Sequence, residues 1–140
     1  FNVFPLKKLP FSVKSDWFSG SAEVLTYSLN ELMGTKLRAL YQRKKGRDLF
    51  DLYWVLKTLA ELSVEDTILA FNKYIEHEGL KISRAEFEKN MHEKKSSATF
   101  GQDIAPLLTE DDREKFDLKQ AFHDVETKII TKLEGHPWAG

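Results

Sequence analysis

The sequence predicts a mainly α protein, a five- to six-helix bundle with a small β element at its N-terminus. Three observations carry that expectation. Ser28-Leu-Asn-Glu31 and Ser83-Arg-Ala-Glu86 both have the Ser-x-x-Glu form in which the two side chains satisfy the free N–H groups of a helix start. From Leu29 onward apolar residues recur three and four apart, the period of a helix with one buried face. Strict alternation of apolar and polar residues is confined to Phe11–Ser15 and Glu23–Tyr27, upstream of all of this.

Taken in order, Phe1 to Pro10 reads as irregular because its two prolines interrupt a strand. The two alternating segments predict short strands with Ser19-Gly-Ser21 as a turn between them, and Trp17 and Phe18 beside it as core anchors. Leu29, Leu32, Met33, Leu37, Leu40 and Tyr41 form the apolar face of a first helix, in which Gly34 implies close approach by a neighbour. Gly46 fits the left-handed position that ends that helix. Leu49, Phe50, Leu52 to Leu56 and Leu59 leave a second helix almost without a polar face, the mark of burial. Ser63 caps a third helix closed by Gly79, and Ser83 opens a fourth, charged one running to about Lys94. Phe100 to Leu108 is ambiguous, with Ile104, Leu107 and Leu108 as one candidate helical face. Thr109-Glu-Asp-Asp112 caps a long final helix through Leu133, stopped by Gly135 and Pro137.

Composition narrows the class. At 140 residues the chain suits one domain, with 1–28 as β lead-in, 29–61 as a helical hairpin and 63–135 as the remaining bundle. A hydrophobic fraction of 41% with 31% charge is that of an ordinary globular protein. The absence of cysteine excludes disulfides and thiolate metal sites and suits a cytoplasmic location. No apolar run reaches the roughly 18–20 residues of a membrane span, so no membrane partner is expected. The four histidines include no pair at the spacing of a metal site on one helix. Acidic residues at Glu110-Asp-Asp112 are explained by the dipole of a helix start. A net charge of −1 excludes polyanion binding by bulk charge, yet Lys36, Arg38, Arg43, Lys44, Lys45 and Arg47 form a run without one acidic residue. Such a run draws phosphates of a nucleotide or an RNA, or is simply a solvated turn.

The hairpin Glu31–Leu52 holds the sharpest chemistry. Asp48 and Asp51 lie three apart and share a helix face, Arg47 and Asp51 lie four apart, and Lys36 and Arg43 share a face of the preceding helix. A short turn between antiparallel helices brings those faces together. Two readings follow from the residues alone. Arg47–Asp51 and Lys36–Asp48 are ion pairs that fix the hairpin, or Lys36 holds a phosphate while an aspartate serves a metal or a proton transfer.

Thr35-Lys36-Leu-Arg-Ala-Leu-Tyr-Gln-Arg43 followed by Arg47-Asp48-Leu-Phe-Asp51-Leu52 resembles the C-terminal signature of the AbiEii/AbiGii toxin family of nucleotidyltransferases. Trp17-Phe18 and the ending Leu133-Glu-Gly-His-Pro137-Trp138 are similar to that family more loosely. The resemblance implies that Lys36 contacts nucleotide phosphates, that Asp51 or Asp48 completes the active site, and that Arg43 and Arg47 support it. It further implies a nucleotidyl group transferred from an NTP, with magnesium, to tRNA, other RNA or protein, and a cognate antitoxin that acts as a repressor. The family's core also has a Gly-Ser turn followed by an Asp-x-Asp metal pair. Here Gly20-Ser21 is followed by Glu31-Leu-Met, so no metal ligand is assigned. The expectation is a C-terminal part whose metal-binding half is absent, inactive by itself and binding neither magnesium nor NTP alone. The competing expectation is a non-catalytic helical module that binds protein or RNA.

Overall fold

The computed structural model describes residues 3–4, 7–10, 23–26 and 28–140, with backbone alone at 7–10, 23–26, 112, 114 and 115. Strands β1 (Lys7–Pro10) and β2 (Glu23–Thr26) pair antiparallel, Lys7 opposite Thr26 and Pro10 opposite Glu23. The first strand therefore falls in the stretch read as irregular. Pro10 occupies its last position, where a missing N–H disturbs a two-stranded ribbon least. The expected strand at Phe11–Ser15, the turn at Ser19–Ser21 and the anchors Trp17 and Phe18 lie outside the described residues.

Six α-helices follow: α1 (Leu29–Gln42), α2 (Gly46–Thr58), α3 (Val64–His77), α4 (Arg84–Lys95), α5 (Glu110–Lys115) and α6 (Leu118–Lys128). Short 3-10 turns lie at Ala105–Leu107 and Ile130–Lys132. The molecule is thus mainly helical, as the periodicity predicts. Helix α1 is the centre of the packing, flanked by α2 and α3, while α6 covers α2 and the Ile130–Lys132 turn meets α4. Leu37, Leu40, Leu49, Leu52, Phe71, Ile75, Phe87, Met91, Val125, Ile129 and Ile130 are sealed in the resulting core. None of the described helices is long and apolar enough to cross a membrane.

Gly34 has the neighbour its position implies. A Cβ built there would lie 2.7 Å from Ala70 Cβ and 3.0 Å from the Phe71 N and Thr67 O backbone atoms, so α1 and α3 cross at this glycine. Ser63 and Ser83 cap α3 and α4 as expected, and Ser83 with Glu86 completes a reciprocal box. The Ser28 box is only half made. Ser28 Oγ accepts from the Glu31 N–H at 3.2 Å, but the Glu31 carboxylate turns inward. It accepts from the Val3 and Phe4 amides at 2.7 and 2.6 Å and from the Tyr74 hydroxyl at 2.6 Å, and is fully buried. The inward bonds answer a buried carboxylate with three donors, which a surface box cannot do.

Three further expectations are corrected, and the ambiguous Phe100–Leu108 stretch is resolved. Gly46 does not end α1 in a left-handed conformation; Arg43 closes α1 in extended geometry and Gly46 is the first residue of α2. The final helix is two: the Asp117 backbone is extended and its carboxylate caps the Lys119 N–H at 2.9 Å, starting α6 afresh. This break lets Phe116 swing onto Phe50 and Tyr53, at ring distances of 5.3 and 5.9 Å. Phe100–Leu108 is turns and one 3-10 turn rather than a helical face, since Ile104 is buried while Leu107 is exposed. Helix α2 is not buried all round, because Trp54 lies on its outer surface.

The C-terminal segment is fastened to α4. Arg84 N–H donates to Glu134 O at 2.8 Å, Trp138 N–H donates to Glu88 Oε1 at 2.8 Å, and the Trp138 ring lies 5.0 Å from that of His92. Gly135, at φ +113°, makes the turn that permits this.

Candidate active site at the helical hairpin

The three-residue link between α1 and α2 leaves the helices antiparallel, so moving forward along α2 moves backward along α1. Asp48, in the first turn of α2, therefore meets Arg43 at the end of α1. Asp51, nearly one turn further on, meets Lys36, two turns earlier on α1. The observed pairs are Arg43–Asp48 and Lys36–Asp51. The expected Arg47–Asp51 and Lys36–Asp48 pairs are not among the ion pairs of the described residues. The sequence spacing identifies the right charges but exchanges their partners. It counts along one helix, whereas the register between two helices decides who meets whom.

These two pairs have opposite environments. Arg43 Nε and Nη2 donate to the two Asp48 carboxylate oxygens at 2.9 and 3.0 Å, a bidentate fork on a carboxylate with no solvent exposure. Both Asp48 oxygens are thereby committed, and the first-turn position adds a favourable helix dipole. Lys36 Nζ and Asp51 Oδ2 make one contact of 3.1 Å, and each side chain is about 30% exposed. Burial pushes the Asp51 carboxyl above its ordinary range, against the pull of Lys36. A single ammonium contact on a half-open carboxylate can exchange for a ligand. In the other pair both Asp48 oxygens are buried and taken, although the Arg43 side chain itself is 47% exposed.

Lys36 also lines a groove of about 390 Å³ on the outer side of α1, with Leu32, Thr35, Arg38, Ala39, Gln42 and Arg43. Arg38 and Gln42 are both held by Glu78, at 3.2 and 2.6 Å, which tethers that wall to the end of α3. Arg47 is exposed, and its contribution to the hairpin is its backbone N–H. The start of α2 is capped from far away: Asp103 Oδ1 accepts from Gly46 N at 2.9 Å and Oδ2 from Arg47 N at 3.1 Å. A Cβ on Gly46 would stand 2.6 Å from Gly101 Cα and 2.9 Å from Ile104 Cδ1, so glycine is what lets the 101–104 turn approach. The sequence carries no local signal for Asp103, which is 57 residues from Gly46. Among the described residues no three His, Asp or Glu side chains come together as a metal site.

A family model described as nucleotidyl transferase AbiEii toxin, type IV TA system, matches residues 2–125. No curated protein and no solved structure matches the chain.

Proposed function

This chain belongs to the AbiEii family of nucleotidyl transferase toxins of type IV toxin–antitoxin systems, and from that premise we propose that the Lys36–Asp51 pair is its nucleotide-handling centre. The observation that carries this is the accessible, singly bonded Asp51 carboxylate beside the α1 groove, set against Asp48, whose two oxygens are buried and held by Arg43.

In this reading the triphosphate of an NTP lies along the groove, where Lys36 exchanges its contact with Asp51 for phosphate oxygens. An acceptor hydroxyl attacks the α-phosphorus. The new bond joins the acceptor oxygen to that phosphorus, the bond to the β-phosphate bridging oxygen breaks, and pyrophosphate leaves. The acceptor proton passes to an Asp51 carboxylate oxygen, freed when Lys36 turns to the phosphate. The raised pKa of Asp51 supports that role, because a carboxylate with a higher pKa is the stronger proton acceptor. Lys36 neutralises charge building on the phosphates. Arg43 and Asp48 hold the hairpin closed, and Arg47 with Lys44 and Lys45 offers an exposed cationic end for an RNA acceptor. By the family's pattern magnesium would be held by an Asp-x-Asp pair, which is not among the residues assigned here, and would neutralise charge on the phosphates that Lys36 contacts. The type IV family implies a cognate antitoxin as partner.

The test is growth arrest on induced expression of the toxin without its antitoxin. Lys36→Ala and Asp51→Asn should each abolish arrest while the purified variants keep the wild-type melting temperature. Full toxicity from either variant would overturn the assignment.

A further inference from the structure

Helix α2 carries an aromatic surface one turn beyond Asp51. At 100° per residue, Trp54 projects between Asp51, which faces α1, and Phe50, which faces the chain after α4. Its ring stacks on Phe50 with centroids 6.2 Å apart and planes 19° from parallel. Phe50 is in turn braced edge-on by Phe116 at 5.3 Å. The indole is therefore backed by a fixed ring on one side while remaining 44% exposed. An aromatic this open forgoes much of the burial its size offers, yet its position is set by packing. Asp51, to which Lys36 is paired, lies three residues before Trp54 on α2, and α2 carries nothing acidic beyond Asp51 to repel an anion there.

We propose that Trp54 is the stacking platform for the nucleobase of the nucleoside triphosphate whose phosphates Lys36 engages. This rests on the reading of Lys36 and Asp51 given above. Trp54 stands about 4.5 Å beyond Asp51 along the α2 axis, a step on the scale of the sugar that separates a nucleobase from its phosphates. Base–aromatic stacking is indifferent to which base is present, so this platform supplies affinity for nucleotides in general and leaves choice among them to other contacts.

The experiment is calorimetric titration of the full chain with MgATP and, separately, with magnesium tripolyphosphate, which has the phosphates but no base. Trp54→Ala should weaken MgATP binding by about tenfold and leave tripolyphosphate binding unchanged. Trp54→Phe should restore most of the lost affinity, because a ring is retained. Unchanged MgATP binding by Trp54→Ala overturns the platform, as does an equal loss for both ligands, which would mark a general disturbance of the site. Lys36→Ala separates this from the underlying reading. It should weaken both ligands, and if it weakens neither, or if the wild type binds neither, the nucleotide site itself is misplaced.

Discussion

The two ion pairs of the hairpin differ most in how their carboxylates are held. Arg43–Asp48 is a two-bond fork on a carboxylate with no exposed surface; Lys36–Asp51 is a single contact between groups each about 30% exposed. Removing a carboxylate from water costs several kcal/mol unless its oxygens are answered, and the fork answers both. A half-exposed single contact gains little, because solvent competes with it at almost equal strength. In the proposed reading this difference separates roles: the first pair stabilises the helical turn, and the second supplies a lysine and a carboxylate for chemistry.

The strongest way to break that contrast is through activity. Lys36→Ala or Asp51→Asn should lower nucleotidyl transfer by at least about a hundredfold, the scale of losing one proton-transfer or charge-stabilising group. Thermal melting of the same variants should shift by no more than about 2 °C, the scale of a weak surface pair in a domain this size. Stability should respond in the reverse order. Arg43→Ala strands the buried Asp48 carboxylate and should cost about 2–3 kcal/mol in urea unfolding. Gly34→Ala forces a methyl into α3 backbone and should cost about 1–3 kcal/mol by the same measurement. Asp103→Ala removes the distant cap of α2 and should cost about 1 kcal/mol.

The smallest effect sharpens the comparison by pH. Asp51 titrates above its ordinary range in the folded chain because burial disfavours its charge. Folding therefore favours its protonated form. The stabilisation is complete below the unfolded carboxyl value and is lost as pH rises through the raised folded one. Melting curves of wild type and Asp51→Asn should thus diverge over that acidic window, the wild type losing stability relative to the variant as pH increases. Parallel curves would mean that Asp51 is no more buried in solution than an ordinary surface carboxylate.

Most of this was legible where the relevant physics is local. Serine caps at 63 and 83 and the helical apolar stripes depend on residues within a turn or two, and each is found; Gly34 marks a close approach locally, although the neighbour itself lies on α3. The family motif also survives, since the matched region contains it. What failed depends on distance. Which aspartate meets which cation is set by the register of two helices. The partner of the Gly46 and Arg47 amides lies beyond two further helices, at Asp103. Glu31 reads as half of a surface box, but its carboxylate is claimed by Val3, Phe4 and Tyr74. The break at Asp117 shows a local signal outweighed: the apolar period runs through it, yet a capping aspartate restarts the helix.

The central claim is that Lys36 serves chemistry while Arg43 serves the fold. Its most direct test pairs two readouts on Lys36→Ala and Arg43→Ala: melting temperature of the purified proteins, and growth arrest on expression without the antitoxin. The division of roles predicts that Lys36→Ala melts within about 2 °C of wild type yet no longer arrests growth, while Arg43→Ala melts roughly 5–10 °C lower. A Lys36→Ala variant that melts far below wild type but still arrests growth would make Lys36–Asp51 a structural pair and contradict the division.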